Sequence, residues 1–166
     1  MLLNKSAKTF VPQKEVYYQR ILENVLQGSH KKIPSGITDI TTPTLHAEVK
    51  TWPKWRHAVG QLLSYNVFDE KPNLQVYLFN DYSPKGKLIA LGVFQVYGIS
   101  PFEFVEDYDA DKIKIMDLLR NKCIFEDSIS RERYYQSLLL RPANPPKSLR
   151  RPRLSCERYR IPSSVL

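Results

Sequence analysis

The apolar residues of this chain recur with two different periods, and this change of period constrains the fold more than any other feature. From Gln13 to Gln27 they recur at helical spacing, without glycine or proline. Over Leu45–Thr51 they alternate with His, Glu and Lys, which is the period of a strand with two different faces. After Pro53 the helical spacing returns and continues to Tyr65. Helices interleaved with strands predict an α/β fold.

The length and composition predict one folded domain followed by a tail. The chain has 166 residues, of which 42% are hydrophobic, enough for a packed core. We expect residues 1–140 to form a single α/β domain and residues 141–166 to form the tail. The longest apolar runs are far shorter than a membrane span, and the N-terminus lacks a long apolar stretch. We therefore expect an intracellular protein with no transmembrane helix, no secretory signal and no membrane partner.

The net charge of +8 is concentrated in the tail. Residues 141–166 hold seven Lys and Arg against one acid, together with five of the twelve prolines. A basic, proline-rich segment suits an extended arm that binds a polyanion such as nucleic acid. The charge alone also fits a solubilising surface. Two further alternatives stay open: the arm binds a protein partner, or it packs onto the domain through Leu154, Tyr159, Ile161 and Leu166.

Local patterns assign the remaining segments. β-branched residues predict a strand over Gly36–Thr42. Two further strands, Leu74–Asn80 and Leu88–Tyr97, would pair as a hairpin through the turn residues between them. Residues 101–111 contain five acids and no base, which predicts a solvated loop. Two more helices are predicted, Asp111–Asn121 and Ser128–Leu140.

Three charged residues on neighbouring strands form a candidate site. Asp39 stands on the first predicted strand, and Glu48 and Lys50 stand two residues apart on the next, so that they share a face. Two carboxylates on adjacent strands offer the oxygen ligands that Mg²⁺ prefers, and an ion there activates water and neutralises a phosphoryl group. Lys50 would orient the attacking water or stabilise developing charge. The alternative is a solvated sheet face with a surface ion pair. His46 and His57 are expected at the surface or facing DNA rather than as metal ligands, because they show no metal-type pairing.

The order of these motifs resembles the PD-(D/E)XK phosphodiesterase superfamily, which includes restriction enzymes, archaeal Holliday-junction resolvases and RecB-type nucleases. The motif residues are Asp39, Glu48 and Lys50, followed by Gln61 and Tyr65 in the Gln-x-x-x-Tyr pattern of RecB-type members. A threonine precedes the Asp where the superfamily's name has proline. The match covers about half of the chain, residues 13–80. These segments also resemble short nuclease-type domains encoded by large DNA viruses.

The resemblance implies a fold, a metal and a set of catalytic residues. The fold is a restriction-endonuclease-like core of the order α-β-β-β-α-β, here with an added C-terminal strand and helices and the basic tail. Asp39 and Glu48 would bind Mg²⁺, for which Mn²⁺ can substitute, and Lys50 and Gln61 would act with them. Resolvase-like members add a Glu from the first helix. Glu15 and Glu23 compete for this role, and Glu15 is preferred because it projects nearer the apolar face of the helix.

Two functions follow as expectations. The first is a Mg²⁺-dependent deoxyribonuclease that hydrolyses DNA phosphodiester bonds, on branched or recombination and repair intermediates. The alternative is a non-catalytic nucleic-acid-binding or assembly protein that keeps the nuclease fold. Many members of the superfamily act as dimers, so the resemblance also allows a homodimer. Either protein would act where DNA is processed, in the nucleus or in a viral factory if the gene is viral.

Overall fold

Three α-helices and eight strands make up the part of the chain that the structure describes. The structure is a computed structural model, and it describes residues 14–107 and 110–128. The helices are α1 (Glu15–Leu26), α2 (Trp55–Phe68) and α3 (Pro84–Val96), and a 3-10 turn, Trp52–Lys54, leads into α2. α1 ends at Leu26, and the next residue, Gln27, caps it with a left-handed φ of 54°. The first two helices confirm the segments predicted from helical spacing.

The strands form a six-stranded sheet and a separate two-stranded hairpin. They are β1 (Lys32–Ile33), β2 (Gly36–Ile37), β3 (Ile40–Thr41), β4 (Leu45–Thr51), β5 (Asn73–Phe79), β6 (Ile99–Asp107), β7 (Lys112–Asp117) and β8 (Lys122–Ser128). β1 pairs with β2, and the other six lie in the order β3-β4-β5-β6-β7-β8. β4, β5 and β6 are parallel, and the other pairs are antiparallel. The α/β class is confirmed, and the finer restriction-endonuclease-like core stays a prediction.

Helices pack on both faces of the large sheet. On one face, the Tyr18 ring of α1 stacks on Phe79 of β5, with 4.1 Å between the ring centroids. On the other face, α2 and α3 bury Trp52, Leu78 and Phe94 in a second cluster. Both helices fall on this face because they connect parallel neighbouring strands by crossovers of the same hand. They therefore begin at the carboxyl ends of the parallel strands, the edge at which open α/β sheets usually bind ligands.

The predicted strand Leu88–Tyr97 is wrong, because these residues lie mainly in α3. Ser83 caps this helix by accepting a hydrogen bond from Gly86 N at 3.1 Å, and a proline occupies the first turn. Apolar residues also stand on the exposed face of α3, so its buried pair, Ala90 and Phe94, does not stand out by spacing. The expected hairpin cannot form because β5 and β6 are parallel and need a crossover.

The predicted acidic loop over residues 101–111 is also wrong, because most of it belongs to β6. Two of its acids accept hydrogen bonds from side chains of other elements. Glu103 accepts a hydrogen bond from Trp52 Nε1 at 2.8 Å, and Glu106 accepts one from Tyr18 OH at 2.6 Å. The two acids thus attach β6 to elements on both of its faces.

Two other predicted segments differ from the structure, and a third lies almost wholly outside the described residues. Asp111–Asn121 is β7 and the turn after it rather than a helix, and its isoleucines alternate into the core as strand residues do. Ser128 ends β8, and the remainder of the predicted helix Ser128–Leu140 lies outside the described residues. The predicted strand Gly36–Thr42 divides into β2 and β3, because its two halves pair with different partners on either side of Asp39.

The predicted tail, residues 141–166, lies outside the described residues. The boundary at residue 140 therefore stays a prediction. None of the helices that the structure describes is long and apolar enough to cross a membrane.

Candidate functional site

The ammonium group of Lys50 lies among three carboxylates. Its Nζ is 2.7 Å from Glu48 Oε1, 2.8 Å from Glu15 Oε1 and 3.7 Å from Asp39 Oδ2. Burial alone would lower the pKa of Lys50, but the negative charges of Glu48 and Asp39 outweigh it and raise that pKa. Four of the five predicted site residues thus lie together. We call them the carboxylate cluster: Glu15, Asp39, Glu48 and Lys50.

Glu48 is the most deeply buried member of the carboxylate cluster. Its side chain is 0% exposed, and neither oxygen accepts a hydrogen bond among the described residues, although Oε1 forms the ion pair with Lys50. Burial and the negative charge of Asp39 raise the pKa of Glu48 to about 8, against the opposing effect of Lys50. A buried carboxylate whose partner is a single ammonium group is costly. A ligand that supplies a further cation or donor group would lower this cost.

Asp39 is held by the backbone of the neighbouring strand. Its Oδ2 accepts a hydrogen bond from Val49 N at 2.8 Å. Asp39 stands immediately before β3, which pairs antiparallel with β4 and places Ile40 opposite Ala47. Since Asp39 itself is outside the strand ladder, its side chain is free to reach across to β4 and join Glu48.

The structure distinguishes between the two competing glutamates of the first helix. Glu15 is the first residue of α1, and its Oε1 accepts a hydrogen bond from Lys50 Nζ at 2.8 Å. Glu23 lies elsewhere and pairs with Arg20 at 3.5 Å and with His30 at 2.9 Å. The geometry favours Glu15 as the helix acid, and its chemical role stays a prediction.

Gln61 and Tyr65 lie on one side of α2, as the four-residue spacing predicts. Gln61 Nε2 donates a hydrogen bond to Tyr65 OH at 3.0 Å, and Tyr65 OH donates one to the Ile37 carbonyl at 3.0 Å. Burial and the nearby charge of Glu48 raise the pKa of Tyr65 to about 12. Among the described residues, Gln61 approaches the carboxylate cluster through Tyr65 and makes no hydrogen bond to it.

His46 is a core residue, and its expected surface position is wrong. The ring is buried, with Nδ1 2.9 Å from Thr41 Oγ1 and Nε2 2.6 Å from the Asp69 carbonyl oxygen. His46 shares its face of β4 with Glu48, and α2 covers that face. The alternation of residues along β4 places His46 and Glu48 on the same face of the strand. It does not show that a helix covers this face. His57, on α2, is exposed as expected.

A divalent ion fits the chemistry of the carboxylate cluster. Asp39 and Glu48 offer hard carboxylate oxygens, and an ion would give the buried Glu48 a second partner beside Lys50. Within residues 14–107 and 110–128, no group of three or more His, Cys, Asp or Glu side chains is arranged to hold an ion alone. Two protein carboxylates would leave the other positions to water or phosphate oxygens, which Mg²⁺ accepts.

Exposed cations without acidic partners stand on segments next to the carboxylate cluster. Among the described residues, five such side chains pair with no acid: Lys14, Lys32, Lys54, Arg56 and Lys85. We call them the unpaired cations. No acid occurs between Glu48 and Asp69, so α2 carries no negative charge. By contrast, Lys112 and Lys114 on the distant β7 both pair with Glu126, at 2.8 and 3.7 Å.

Two curated viral proteins match part of this chain, and both are KilA-N domain-containing proteins of Acanthamoeba polyphaga mimivirus. One is 34% identical over 67 residues, which cover 37% of this chain and 19% of that protein. The other is 32% identical over 89 residues, which cover 52% of this chain and 24% of that protein. The chain therefore spans about a quarter or less of the length of these relatives. No protein-family model and no solved structure matches the chain.

These comparisons contradict the resemblance to the PD-(D/E)XK superfamily. The relatives are named for the KilA-N domain, which is a different family, and no match supports the superfamily. The resemblance depends on a few residues, chiefly Asp39, Glu48 and Lys50, and patterns this short also arise in unrelated chains. Both relatives are viral, and the expected cellular location stays a prediction.

Proposed function

We propose that this domain binds nucleic acid, with DNA as the preferred form, on the side of the carboxylate cluster. The observation that carries the proposal is the set of unpaired cations, four of which stand where the three helices begin: Lys14, Lys54, Arg56 and Lys85. The helix dipole disfavours a cation at the start of a helix, so these positions cost stability unless an anion binds there. A chain of backbone phosphates is the anion that matches several dispersed cations.

The relatives support DNA binding more than turnover. They are named for the KilA-N domain, a DNA-binding type of domain. Because the chain matches only a fraction of each relative, we carry to it the binding of DNA and no activity of the whole proteins. The similarity to these relatives therefore favours nucleic-acid binding without catalysis over nuclease activity.

The proposed function is tested by measuring the binding of the full chain to labelled nucleic acid. A chelator in the buffer removes divalent ions, so that cleavage cannot interfere with the measurement. We expect a dissociation constant on the order of 1 μM or tighter for duplex DNA at low salt, weakening as salt rises. Single-stranded DNA and RNA of the same length, measured in parallel, define the preferred form. Failure of the chain to bind any of the three at low salt would contradict the proposal.

The buried carboxylate of Glu48, which has no hydrogen-bond partner among the described residues, favours phosphodiester hydrolysis as a second candidate function. A divalent ion bound there would polarise water and neutralise phosphate charge. Asp39 and Glu48 would hold the ion, and Glu15 would hold the Lys50 ammonium beside it. Lys50 would present positive charge to the substrate phosphate. Gln61 would position the substrate or the attacking water.

Incubation of supercoiled, linear and branched DNA with different cations tests this second function. Mg²⁺ or Mn²⁺ should support cleavage, and Ca²⁺ should support little, because its larger and looser coordination misplaces water and phosphate. Glu48→Gln should abolish cleavage and keep DNA binding. Cleavage that persists in chelator, or at the wild-type rate in Glu48→Gln, would exclude this site as its source. Binding without cleavage under every condition would leave the non-catalytic function.

A further inference from the structure

Gly60 is a glycine in the interior of α2 that the described fold does not require. The residue is exposed, and a Cβ added to it would meet no atom within 4 Å. Its φ is not positive, so the backbone there does not call for glycine. After proline, glycine is the least favourable residue in a helix interior, because it gives the unfolded chain the most freedom. Alanine would therefore suit the described structure better.

Three of the four side chains that lie one turn from Gly60 are polar or cationic, and the fourth is the half-exposed Leu63. Arg56 lies one turn before Gly60 and Ser64 one turn after it, and Gln61 is adjacent. The Arg56 guanidinium carbon lies 4.4 Å from the centroid of the Trp55 ring, and no acid pairs with it among the described residues. We call five exposed or half-exposed residues the α2 outer face: Arg56, His57, Gly60, Gln61 and Ser64.

The α2 outer face points away from the sheet. Trp55, Ala58 and Leu62 form the buried side of the helix. Gly60, two residues before Leu62, projects to the opposite side at about 100° per residue. A ligand that approaches from solvent therefore reaches Gly60 without displacing the core.

We propose that a nucleic-acid sugar–phosphate backbone lies along the α2 outer face and approaches the helix most closely at Gly60. A side chain at this position would hold the backbone away from the helix. Arg56 supplies a cation for a phosphate, and the absence of acids between Glu48 and Asp69 removes repulsion along the helix. Contacts to the backbone fix position without reading bases, so binding here is independent of sequence. The proposal rests on the nucleic-acid binding proposed above and names the surface that makes it.

α3 supplies a matched control for this proposal. Gly92 is also exposed in a helix interior, and a Cβ added to it would also meet no atom within 4 Å. Its surroundings differ, because exposed apolar side chains such as Leu88 and Val96 flank it. No charged residue occurs from Leu88 to Phe102, so this stretch offers no cation to a phosphate. Substitutions at Gly92 therefore measure how replacing an exposed glycine affects a helix that carries no proposed DNA contact.

Alanine and leucine substitutions at both glycines of the full chain test the proposal, with thermal unfolding and duplex DNA affinity in chelator as readouts. Gly60→Ala and Gly92→Ala should each raise the midpoint of thermal unfolding by a few degrees. Gly60→Leu should weaken DNA binding about tenfold or more, and Gly60→Ala should weaken it less. Gly92→Ala and Gly92→Leu should bind DNA as the wild type does.

The outcomes separate this proposal from the proposed function. Wild-type affinity in Gly60→Leu, together with DNA binding by the wild type, would overturn the α2 contact and leave binding to another surface. Equal weakening in Gly60→Leu and Gly92→Leu would also overturn it, because the effect would not be specific to α2. If the wild type binds neither DNA nor RNA, the proposed function itself fails and the α2 contact fails with it.

Discussion

Lys50 Nζ donates a hydrogen bond to Glu15 Oε1 at 2.8 Å, although the two residues are 35 positions apart in the chain. The bond ties the start of α1 to β4 and brings a carboxylate from a separate helix to Glu48 and Asp39. One ammonium group is thereby the common counter-ion of three acids. The stability of the site therefore depends on this arrangement.

Removing the charge of Lys50 should destabilise the fold far more than removing that of an exposed lysine. In Lys50→Met, the buried Glu48 loses its counter-ion, and breaking such a pair costs on the order of 3 kcal/mol. Lys112→Met is the matched control, because it breaks a half-exposed pair with Glu126 and should cost little. Chemical unfolding of both variants at pH 8 measures the difference. If Lys50→Met and Lys112→Met lose similar amounts of unfolding free energy, Lys50 does not stabilise the carboxylate cluster.

Glu48 should make the metal-free protein less stable as the pH rises. Its pKa in the folded state is about 8, above the ordinary 4.5, so the folded state binds this proton more tightly than the unfolded chain does. The contribution of Glu48 to stability therefore falls as the pH rises from 4.5 to 8. Glu48→Gln should remove this fall and should be more stable than the wild type at pH 8.

Unfolding free energies measured in chelator between about pH 5 and pH 8 check this expectation. Glu126→Gln serves as the control. The hydrogen bond from Lys112 lowers the pKa of Glu126, so this group is ionised in both states over the range and should not alter the profile. Parallel pH profiles for the wild type and Glu48→Gln would contradict the expectation.

Divalent cations should stabilise the wild type through Asp39 and Glu48. A ligand that binds only the folded state adds about 2.7 kcal/mol at a hundred times its dissociation constant, and Asp39→Asn should lose most of this gain. Asp117→Asn is the control, because Asp117 is another buried acid whose Oδ1 bonds only to nearby backbone amides. Thermal unfolding with Mg²⁺ or Mn²⁺ against chelator gives the comparison. Equal stabilisation of Asp39→Asn and the wild type would place the ion elsewhere.

Truncation after Leu140 should flatten the salt dependence of DNA binding. The removed residues 141–166 hold seven Lys and Arg and one acid. If they make about three to five phosphate contacts, the slope of log K against log salt should fall by roughly three to four. An unchanged slope in a folded truncated protein would favour a protein partner, or packing onto the domain, as the role of the tail.

Strong local periods predicted the elements that hold the carboxylate cluster. Alternation along β4 placed Glu48 and Lys50 on one face, and helical spacing placed Gln61 with Tyr65. Projection around the first helix favoured Glu15, and the structure places this residue against Lys50. Each of these inferences needs only the geometry of a single element, which the sequence carries directly.

The predictions failed where partners distant in the chain decide the structure. Leu88 and Ile89 are exposed on α3, so apolar residues on the wrong face concealed its helical period. The charges of Glu103 and Glu106 suggested a solvated loop, whereas both acids accept hydrogen bonds from aromatic side chains. His46 is buried because α2 covers its face of β4, which no local pattern records. The family interpretation failed because its motif is short enough to arise without common descent.

The salt dependence of duplex DNA binding by the full chain in chelator tests the proposed nucleic-acid surface most directly. The Lys54→Gln/Arg56→Gln double variant removes two unpaired cations at the start of α2, and the slope of log K against log salt should fall by about 1.8. The Lys112→Gln/Lys114→Gln double variant removes the same charge from β7, where both lysines pair with Glu126, and should keep the wild-type slope. Wild-type affinity and slope in Lys54→Gln/Arg56→Gln would contradict nucleic-acid binding at this surface.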